Sequence, residues 1–481
     1  MMADDIDSLS DFDERLLQGV FARVWRYLGE STDTDSPVTK SKSPQELKNK
    51  LELAVGTSGV DVDTILSDID NYLDESVKTS HPHFMNPLWG GTNVASLAGE
   101  FISALTNTSM YTFELAPMAT LIENEMVDSM LKLVGYQAGE GIFTTGGSNG
   151  NLLGLMCARD RKFPDAQRSG LGGKQLVAFI SEDAHYSTAM AANVLGIGFD
   201  NLIAIPTDES GGMIPSELEQ SVAAEKRAGN FPFCVIATAG TTVRGSVDPL
   251  VELGEICRQE KLWLHVDAAW GGAALLSPKT RPLLRGIDLA DSICWDPHKM
   301  MGIHLCCSVF LVKNSGTLRR VCAHTHRAHY LLLDGAENID LGHMSLQCGR
   351  RVDALKLWLA WRAKGNEGWA TLVERYFSLA EYLVSKVKEH TRLELVVEPA
   401  MTNVCIRYVG FGLNQSREDV INQGIRNELI ASGKFMVSTS QIDSRPIIRA
   451  VIANPGVTES TLDELISSIV EIGDSLSSQE I

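Results

Sequence analysis

An aspartate and a lysine, Asp267 and Lys299, follow two short apolar runs in the middle of the sequence. Asp267 ends the run LWLHV, and Lys299 lies shortly after DSICW. Both runs are too short for a helix and are rich in residues typical of buried strands. Pyridoxal phosphate requires such a pair, because a lysine forms its Schiff base and a carboxylate pairs with its pyridine nitrogen. Taken singly, the aspartate is explained at least as well by a helix cap as by cofactor binding, and the lysine at least as well by a solvated surface position.

The surrounding sequence alternates apolar runs with helical segments. Before LWLHV come the strand-like runs QLVAFIS, NLIAIPT and FPFCVIATAG. This alternation predicts βαβ units and a largely parallel sheet with helices on both faces. Binding groups in such sheets lie in the loops at the carboxyl ends of the strands. His185, Thr241, Asp267 and Lys299 all follow predicted strands, which favours one shared cofactor site.

A glycine-rich turn, residues 146–148 (GGS), precedes a predicted helix. The first turn of a helix offers unpaired N–H groups and the positive end of the helix dipole, and both suit a phosphate. The turn lacks the GK[ST] and GxGxxG spacings of nucleotide-binding loops. Gly147 and Ser148 are therefore phosphate candidates only in combination with the other residues.

Composition excludes several classes of function. The 481 residues include 42 lysines and arginines against 61 acidic residues, a net charge of −19, which argues against nucleic-acid binding. The nine cysteines show neither CxxC nor zinc-site spacing, so we expect reduced thiols and no metal site. The acidic N-terminus shows no secretory signal, and no apolar run reaches membrane-spanning length. We therefore expect a cytoplasmic protein without a membrane segment.

From about residue 45 onward, the chain resembles the group II pyridoxal phosphate-dependent decarboxylases, in particular their glutamate and cysteine sulfinate decarboxylase branch. The motifs that carry the resemblance are SEDAHYS, ATAGTTVRGSVDP, HVDAAWGG, DPHKMM, QCGRRVDALKLWLAWRAKG and RAVIANP. The resemblance implies an α/β fold of the fold-type I, aspartate aminotransferase-like class. It also implies a mostly parallel central sheet, a small α+β C-terminal domain, and a homodimer with active sites at the interface.

The same resemblance assigns roles to individual residues. Lys299 would carry the cofactor, Asp267 would keep the pyridine nitrogen protonated, and His185 would stack on the ring. The remaining cofactor contacts would be Gly147, Ser148 and His298 at the phosphate, with Thr241 and Ala269. Tyr330 would donate the proton that replaces carbon dioxide, and Arg449 would bind the substrate α-carboxylate. Lys299 must act as a neutral nucleophile, so we expect a depressed pKa.

Two departures from the family pattern concern the phosphate and the substrate. Asp296 stands where relatives commonly have asparagine, so no phosphate contact is assigned to it. The substrate loop reads Asn86-Pro87-Leu88 where relatives commonly read N-Q-L, and Trp89 follows it. An aromatic residue in this loop resembles the cysteine sulfinate and aspartate enzymes, and a bulky ring should shorten the side-chain pocket. We expect an acidic substrate, with cysteine sulfinate or aspartate ahead of glutamate.

Three regions are expected along the chain: an N-terminal helical segment with the substrate loop (1–90), a large cofactor-binding domain (91–365) and a small C-terminal domain (366–481). Residues 1–15 are expected to be frayed, residues 29–44 to form a polar linker, and residues 81–93 to form a loop without regular structure. Two alternatives stay open. One is decarboxylation of an aromatic or diamino acid, or another reaction of the same cofactor; the other is a non-catalytic homologue that acts as a binding partner.

Overall fold

The computed structural model describes residues 9–50, 53–322 and 339–479. The strands are β1 (Phe84–Met85), β2 (Glu140–Thr144), β3 (Leu176–Ser181), β4 (Leu202–Ile205), β5 (Phe231–Thr238), β6 (Trp263–Asp267), β7 (Ser292–Trp295), β8 (Ser308–Val312), β9 (Leu393–Leu395), β10 (Asn403–Tyr408), β11 (Met436–Ile442) and β12 (Arg445–Val451). The helices are α1 (Asp11–Glu30), α2 (Pro44–Lys48), α3 (Val62–Glu75), α4 (Val94–Thr106), α5 (Pro117–Val134), α6 (Gly147–Lys162), α7 (Ala166–Ser169), α8 (Ser187–Val194), α9 (Pro215–Arg227), α10 (Leu250–Glu260), α11 (Thr317–Val321), α12 (Asp353–Glu389), α13 (Gln415–Ala431) and α14 (Glu459–Ser477).

The larger of two sheets has seven strands in the order β2-β8-β7-β6-β5-β3-β4. Strand β8 runs antiparallel to both of its neighbours, and the remaining pairs are parallel. Strands β6, β7 and β8 are buried along their whole length, as expected for a sheet covered by helices on both faces. The prediction of an α/β fold with a mostly parallel sheet is confirmed.

Helix α6 lies unusually close to the central strands because it carries two glycines one turn apart. A Cβ atom on Gly150 would lie 2.5 Å from Sγ of Cys294 in β7, and one on Gly154 would lie 2.6 Å from Nδ1 of His265 in β6. Real side chains do not tolerate such contacts, so only glycine permits this approach. The helix that begins at the glycine-rich turn is thereby packed against the strands that carry Asp267 and precede Lys299.

The smaller sheet has the order β1-β11-β12-β10-β9. One of its two edge strands, β1, comes from the N-terminal segment and pairs in parallel with β11. In this pair, Phe84 lies opposite Met436. The expectation that residues 81–93 lack regular structure is therefore wrong: the prolines at 82 and 87 flank the two paired residues and remove none of their N–H groups. Strand β11 was also missed from the sequence. It forms a hairpin with β12 across Asp443 and Ser444, both in the left-handed conformation that two-residue hairpin turns require.

The N-terminal region is more ordered than its composition indicated. Helix α1 begins at Asp11 with Ser10 as its cap, so the expectation of fraying to residue 15 is wrong. The polar stretch 29–44 is anchored to the small domain, because Val38 is fully buried and its N–H donates to the carbonyl of Gly433 at 2.8 Å. Ser43 caps α2 with its side chain, and Pro44 follows as the first helical residue.

Helix α12 connects the region of the larger sheet to that of the smaller one. Its backbone leaves the helical conformation at Gly365, with φ 64° and ψ 175°. This break coincides with the boundary at residues 365–366 expected from the sequence, although the three-region division itself stays a prediction. No helix within the described ranges is long and apolar enough to cross a membrane.

Candidate active site

A cavity of about 260 Å³ opens at the carboxyl ends of β5, β6 and β7, beside the start of α6. These three strands are adjacent and parallel, so the loops that follow them meet at one edge of the sheet. Seven of the eight predicted cofactor contacts line the cavity, namely Gly147, Ser148, His185, Asp267, Ala269, His298 and Lys299. The structure thus brings together most of the predicted cofactor site.

Asp267 is the last residue of β6, and its carboxylate is held from two sides. The backbone N–H of Ala269 donates to Oδ1 at 3.1 Å, and Nδ2 of Asn151 donates to Oδ2 at 2.7 Å. The residue is only 6% exposed. Donors on both oxygens fix the orientation of the carboxylate at the end of β6, beside the cavity.

Lys299 lies in the turn after β7, with Nζ 3.3 Å from Oδ2 of Asp296. Burial alone would lower its pKa, but the carboxylates of Asp296 and Asp267 outweigh burial and raise the pKa above the ordinary value. The expectation of a depressed lysine pKa is therefore wrong for this structure. The physical reason is the aspartate before the PHK sequence, which supplies a negative charge where the family's common asparagine would supply none.

Two histidines border the cavity. The Nδ1 atom of His185 lies 2.8 Å from Oγ of Ser187, and burial lowers the pKa of His185 below its ordinary value. The Nε2 atom of His298 lies 3.5 Å from Oδ2 of Asp296, and burial likewise lowers the pKa of His298. Stacking of His185 on the cofactor and phosphate binding by His298 stay predictions.

The start of α6 has the form of a phosphate cradle. The N–H groups of Gly147 and Ser148 are the first two of the helix, where no intrahelical acceptor exists. A Cβ atom on Gly147 would lie 2.8 Å from Oδ2 of Asp296 and 3.3 Å from Cβ of Ala269, so the backbone reaches this position only as glycine. The Asp296 carboxylate borders this turn as well as Lys299 and His298, so the donors that the turn offers an anion are its two N–H groups.

Four other predicted site residues, Thr241, Asn86, Trp89 and Arg449, lie outside the cavity lining. Thr241 is buried, and its hydroxyl accepts a hydrogen bond from the N–H of Ser246 at 3.0 Å, while Thr242 lines the cavity instead. Asn86 and Trp89 also lie outside the lining, although Leu88 between them is part of it. Tyr330 lies outside the described residues. The contacts expected for these residues stay predictions.

Arg449 is placed directly behind the cavity wall. Its Nε donates to Oγ of Ser438 at 2.8 Å, and its Nη1 donates to the carbonyl of Thr242. The residue is 8% exposed, and burial lowers its pKa. These contacts place a buried cation against the backbone of Thr242, a residue of the cavity lining.

Sequence reasoning missed several lining residues, among them Asn151, Thr238 and Trp270. Asn151 carried one usable signal, since it lies one turn into α6 after the glycine-rich turn. Thr238 ends β5 and pairs in register with Asp267, so the strand-end rule would have identified it. Trp270 gave no signal beyond its place three residues after Asp267.

Comparisons with known proteins agree with this arrangement. A family model described as the pyridoxal-dependent decarboxylase conserved domain matches residues 44–409. The chain belongs to the pyridoxal-dependent decarboxylase family. It is 37% identical to rat cysteine sulfinic acid decarboxylase, covering 96% of this chain and 97% of that protein. It is also 37% identical to mouse acidic amino acid decarboxylase GADL1, over 92% of this chain and 83% of that protein. A crystal structure of the mouse protein CSAD superposes with a TM-score of 0.92 at 36% identity, covering 96% and 98% of the two chains.

The residues of the cavity fit the cofactor that the family uses. Asp267 suits the pyridine nitrogen, Lys299 suits the aldehyde carbon, and the N–H groups at the start of α6 suit the phosphate. Bound pyridoxal phosphate supplies an electron sink that stabilises the carbanion left when carbon dioxide departs. As a member of this family, the protein is a pyridoxal phosphate-dependent amino acid decarboxylase.

Proposed function

We propose that the protein decarboxylates a short acidic L-amino acid to its amine, with cysteine sulfinate or aspartate preferred over glutamate. The observation that carries this proposal is the near-full-length similarity to relatives named for cysteine sulfinic acid and for acidic amino acids. Each turnover releases carbon dioxide and takes up one proton at the α-carbon. The net charge of −19 gives an anionic substrate no long-range attraction, so local cations must bind it.

Arg449 is the proposed ligand of the substrate α-carboxylate. Its guanidinium is oriented by Ser438 and by the Thr242 carbonyl, so little side-chain entropy remains to be lost when a carboxylate binds. A guanidinium can also bind a carboxylate through two parallel hydrogen bonds. Fixing the carboxylate orients the bond that breaks. Tyr330 is the proposed proton donor to the α-carbon.

Residues 86–89 are proposed to set the length of the substrate side chain. Leu88 lines the cavity, and the ring of Trp89 lies 5.6 Å from the ring of Phe84, measured between centroids. We propose that this aromatic pair, although outside the cavity lining, limits the space beyond the β-carbon of a bound substrate. A substrate one carbon shorter than glutamate fits the restriction better.

A substrate panel tests the proposal. Purified, cofactor-loaded protein is supplied with cysteine sulfinate, aspartate and glutamate, with tyrosine and 2,4-diaminobutyrate as controls, and amine and carbon dioxide are quantified. We expect the highest kcat/KM on one of the two shorter acids. In Trp89→Ser, which opens the loop, we expect the ratio of glutamate to aspartate turnover to rise. Turnover confined to tyrosine or diaminobutyrate would exclude an acidic substrate.

A different reaction of the same cofactor, such as aldehyde formation, is distinguished by the product. One amine per carbon dioxide supports simple decarboxylation, and an aldehyde in its place contradicts it. A non-catalytic role is excluded if turnover and the visible absorption of the bound cofactor are both lost in Lys299→Ala.

We further propose a homodimer. Large apolar side chains are exposed on α1 and α4, including Phe21 at 53%, Trp25 at 77% and Leu105 at 79% exposure. The rings of Phe21 and Phe101 meet edge to face at 6.4 Å, so the two helices form one apolar face. Contiguous apolar surface of this kind is typical of protein interfaces. Sedimentation equilibrium should give twice the chain mass of 52.4 kDa, and a monomer would contradict the proposal.

A cytoplasmic location is proposed from the chemistry of the cysteines. All nine lie within the described ranges as free thiols, and two of them, Cys306 and Cys348, are exposed. Exposed thiols persist in a reducing compartment. Fractionation of expressing cells should recover the protein with cytosolic markers.

A further inference from the structure

A continuous chain of hydrogen bonds runs from the carboxylate of Asp267 into the core of the larger sheet. Asp267 Oδ2 lies 2.7 Å from Nδ2 of Asn151, and Oδ1 of Asn151 lies 2.9 Å from Nε2 of His265. The other imidazole nitrogen, Nδ1, lies 2.9 Å from Oγ of Ser292, which lies 2.8 Å from Nε1 of Trp263. None of these residues is assigned a role by the resemblance, except Asp267.

The direction of every bond in this chain follows from its two ends. The indole of Trp263 can only donate, so the hydroxyl oxygen of Ser292 accepts and its proton is free to point at Nδ1 of His265. At the other end, an ionised carboxylate only accepts, so the amide N–H₂ of Asn151 must face Asp267. The amide oxygen then faces His265 and requires a proton on Nε2. The reverse orientation would place two acceptors, the amide oxygen and the carboxylate, 2.7 Å apart.

His265 is suited to a neutral place in this chain. It is fully buried, and burial lowers its pKa to about 4, so the imidazole is neutral at physiological pH. Gly154 gives α6 the close approach to the imidazole described above. With one proton on Nε2 and a lone pair on Nδ1, both nitrogens of His265 are satisfied.

A second branch starts at the same amide. Nδ2 of Asn151 also donates to Oγ of Ser187 at 2.8 Å, so the Ser187 hydroxyl proton is free to point at Nδ1 of His185, 2.8 Å away. The N–H of Ser187 points at the same Nδ1 atom, at 3.3 Å. An atom approached by two donors carries a lone pair, so the proton of His185 lies on Nε2.

We propose that Asn151 is a positioning residue that fixes the orientation of the Asp267 carboxylate and the Nε2-protonated form of His185 at the same time. One amide thereby orients both residues that are expected to flank the cofactor ring, the carboxylate directly and the imidazole through Ser187. The charged and titratable groups that act on this pair are Lys299 and Asp296, since both influence His185 together with Asp267. The inference depends on membership of the family and not on the choice of substrate.

Histidine tautomers give a test that needs neither cofactor nor substrate. In protein labelled with ¹⁵N-histidine, the ring nitrogens of His185 and His265 should both report a proton on Nε2. In Asn151→Ala, at least one of the two rings should become a mixture of the Nδ1- and Nε2-protonated forms. Asn422→Ala is the matched control, because Asn422 is equally buried at 1% exposure and bonds the backbone of Tyr408 in the small domain. The proposal would be overturned if both rings kept only the Nε2-protonated form in Asn151→Ala. It would also be overturned if either ring lost that form in Asn422→Ala.

The near-isosteric variant Asn151→Asp provides a second test that does not depend on the fold tolerating alanine. In this variant, the new carboxylate faces that of Asp267, and the pair shares one proton at low pH, which restores a donor to Asp267. At high pH the shared proton is lost, and Asp267 loses that donor. We expect kcat of this variant to approach that of the wild type at pH 6 and to fall about 10- to 100-fold below it at pH 8.5, the range for loss of one hydrogen bond to a charged group. KM should change less than about threefold. The ¹⁵N shift of the pyridine nitrogen should move in parallel, and a pH-independent ratio of the two enzymes would refute the proposal.

Discussion

Replacing Asp296 by asparagine should accelerate loading of the cofactor onto Lys299. The Asp296 carboxylate is 2% exposed, and Oδ2 lies 3.3 Å from Nζ of Lys299 and 3.5 Å from Nε2 of His298. The ion pair keeps the lysine protonated, whereas attack on an aldehyde requires the neutral amine. The same carboxylate lies beside the turn that is expected to hold the phosphate. Both effects oppose loading, so the substitution removes two obstacles together.

The magnitude follows from the distance. At an effective dielectric constant of about 20, two unit charges 3.3 Å apart attract by roughly 5 kcal/mol, and the cost of burying both charges offsets much of this. If only about 1.4 kcal/mol survives, the fraction of neutral amine near pH 7 still changes tenfold. The sign is fixed: Asp296 raises the pKa of Lys299, so without it the amine is neutral at lower pH. We expect loading at pH 7 to become at least about tenfold faster, and the pH profile of loading to shift to lower pH.

Stopped-flow absorption after mixing cofactor-free protein with pyridoxal phosphate, between pH 6 and 9, measures both quantities. Asp291→Asn is a suitable control, because Asp291 immediately precedes the opposite end of β7 and pairs with Arg161 away from the cavity. It should load at the wild-type rate. Slower loading of Asp296→Asn, or an unshifted pH profile, would refute the reasoning and imply that the carboxylate assists the phosphate, for example by holding a proton.

Three further predictions follow from the same geometry. In Arg449→Lys, kcat/KM should fall about 100-fold with the cofactor absorption unchanged. Arg445 lies on the same strand and pairs with Glu418 and Asp419, so Arg445→Lys should leave kcat/KM unchanged. Equal losses in the two variants would contradict a carboxylate-binding role for Arg449. Gly154→Ala should destabilise the fold by about 1 to 3 kcal/mol in urea titrations, because the new methyl group would lie 2.6 Å from His265. Gly29→Ala in helix α1 meets nothing within 4 Å and should not destabilise the fold. The pKa of His265 drops from 6.5 in the unfolded chain to about 4 in the fold, so the unfolded state binds more protons between these pH values. Between pH 6.5 and 4, the free energy of unfolding should therefore fall by up to roughly 3 kcal/mol through His265 alone. The stability lost on acidification should be smaller in His265→Gln.

The strand-end rule accounts for what could be predicted of the site. Asp267 and Lys299 follow β6 and β7, which are adjacent and parallel, so sequence position was enough to place them together. The sequence shows that Asp296 departs from the asparagine common in relatives, but the effect of this residue on the Lys299 pKa depends on which way its carboxylate turns. That direction is set by tertiary packing at the turn and is not encoded in local spacing. The same limit applied to β1 and β11, whose pairing joins residues 352 positions apart in the chain, as in Phe84 and Met436.

The hydrogen-bond chain behind Asp267 nevertheless left a trace in the sequence. His265 and Asp267 are two residues apart on a strand, so their side chains point to the same face of the sheet. Gly150 and Gly154 are four apart on the helix that follows the glycine-rich turn, so they lie on one face of that helix, and small residues there indicate close packing on another element. Asn151 adjoins that face and is the amide that can reach both polar strand residues. Once the helix is known to face this strand, the buried histidine, aspartate and amide must form a polar network, because none of the three polar groups can be left unpaired in the core.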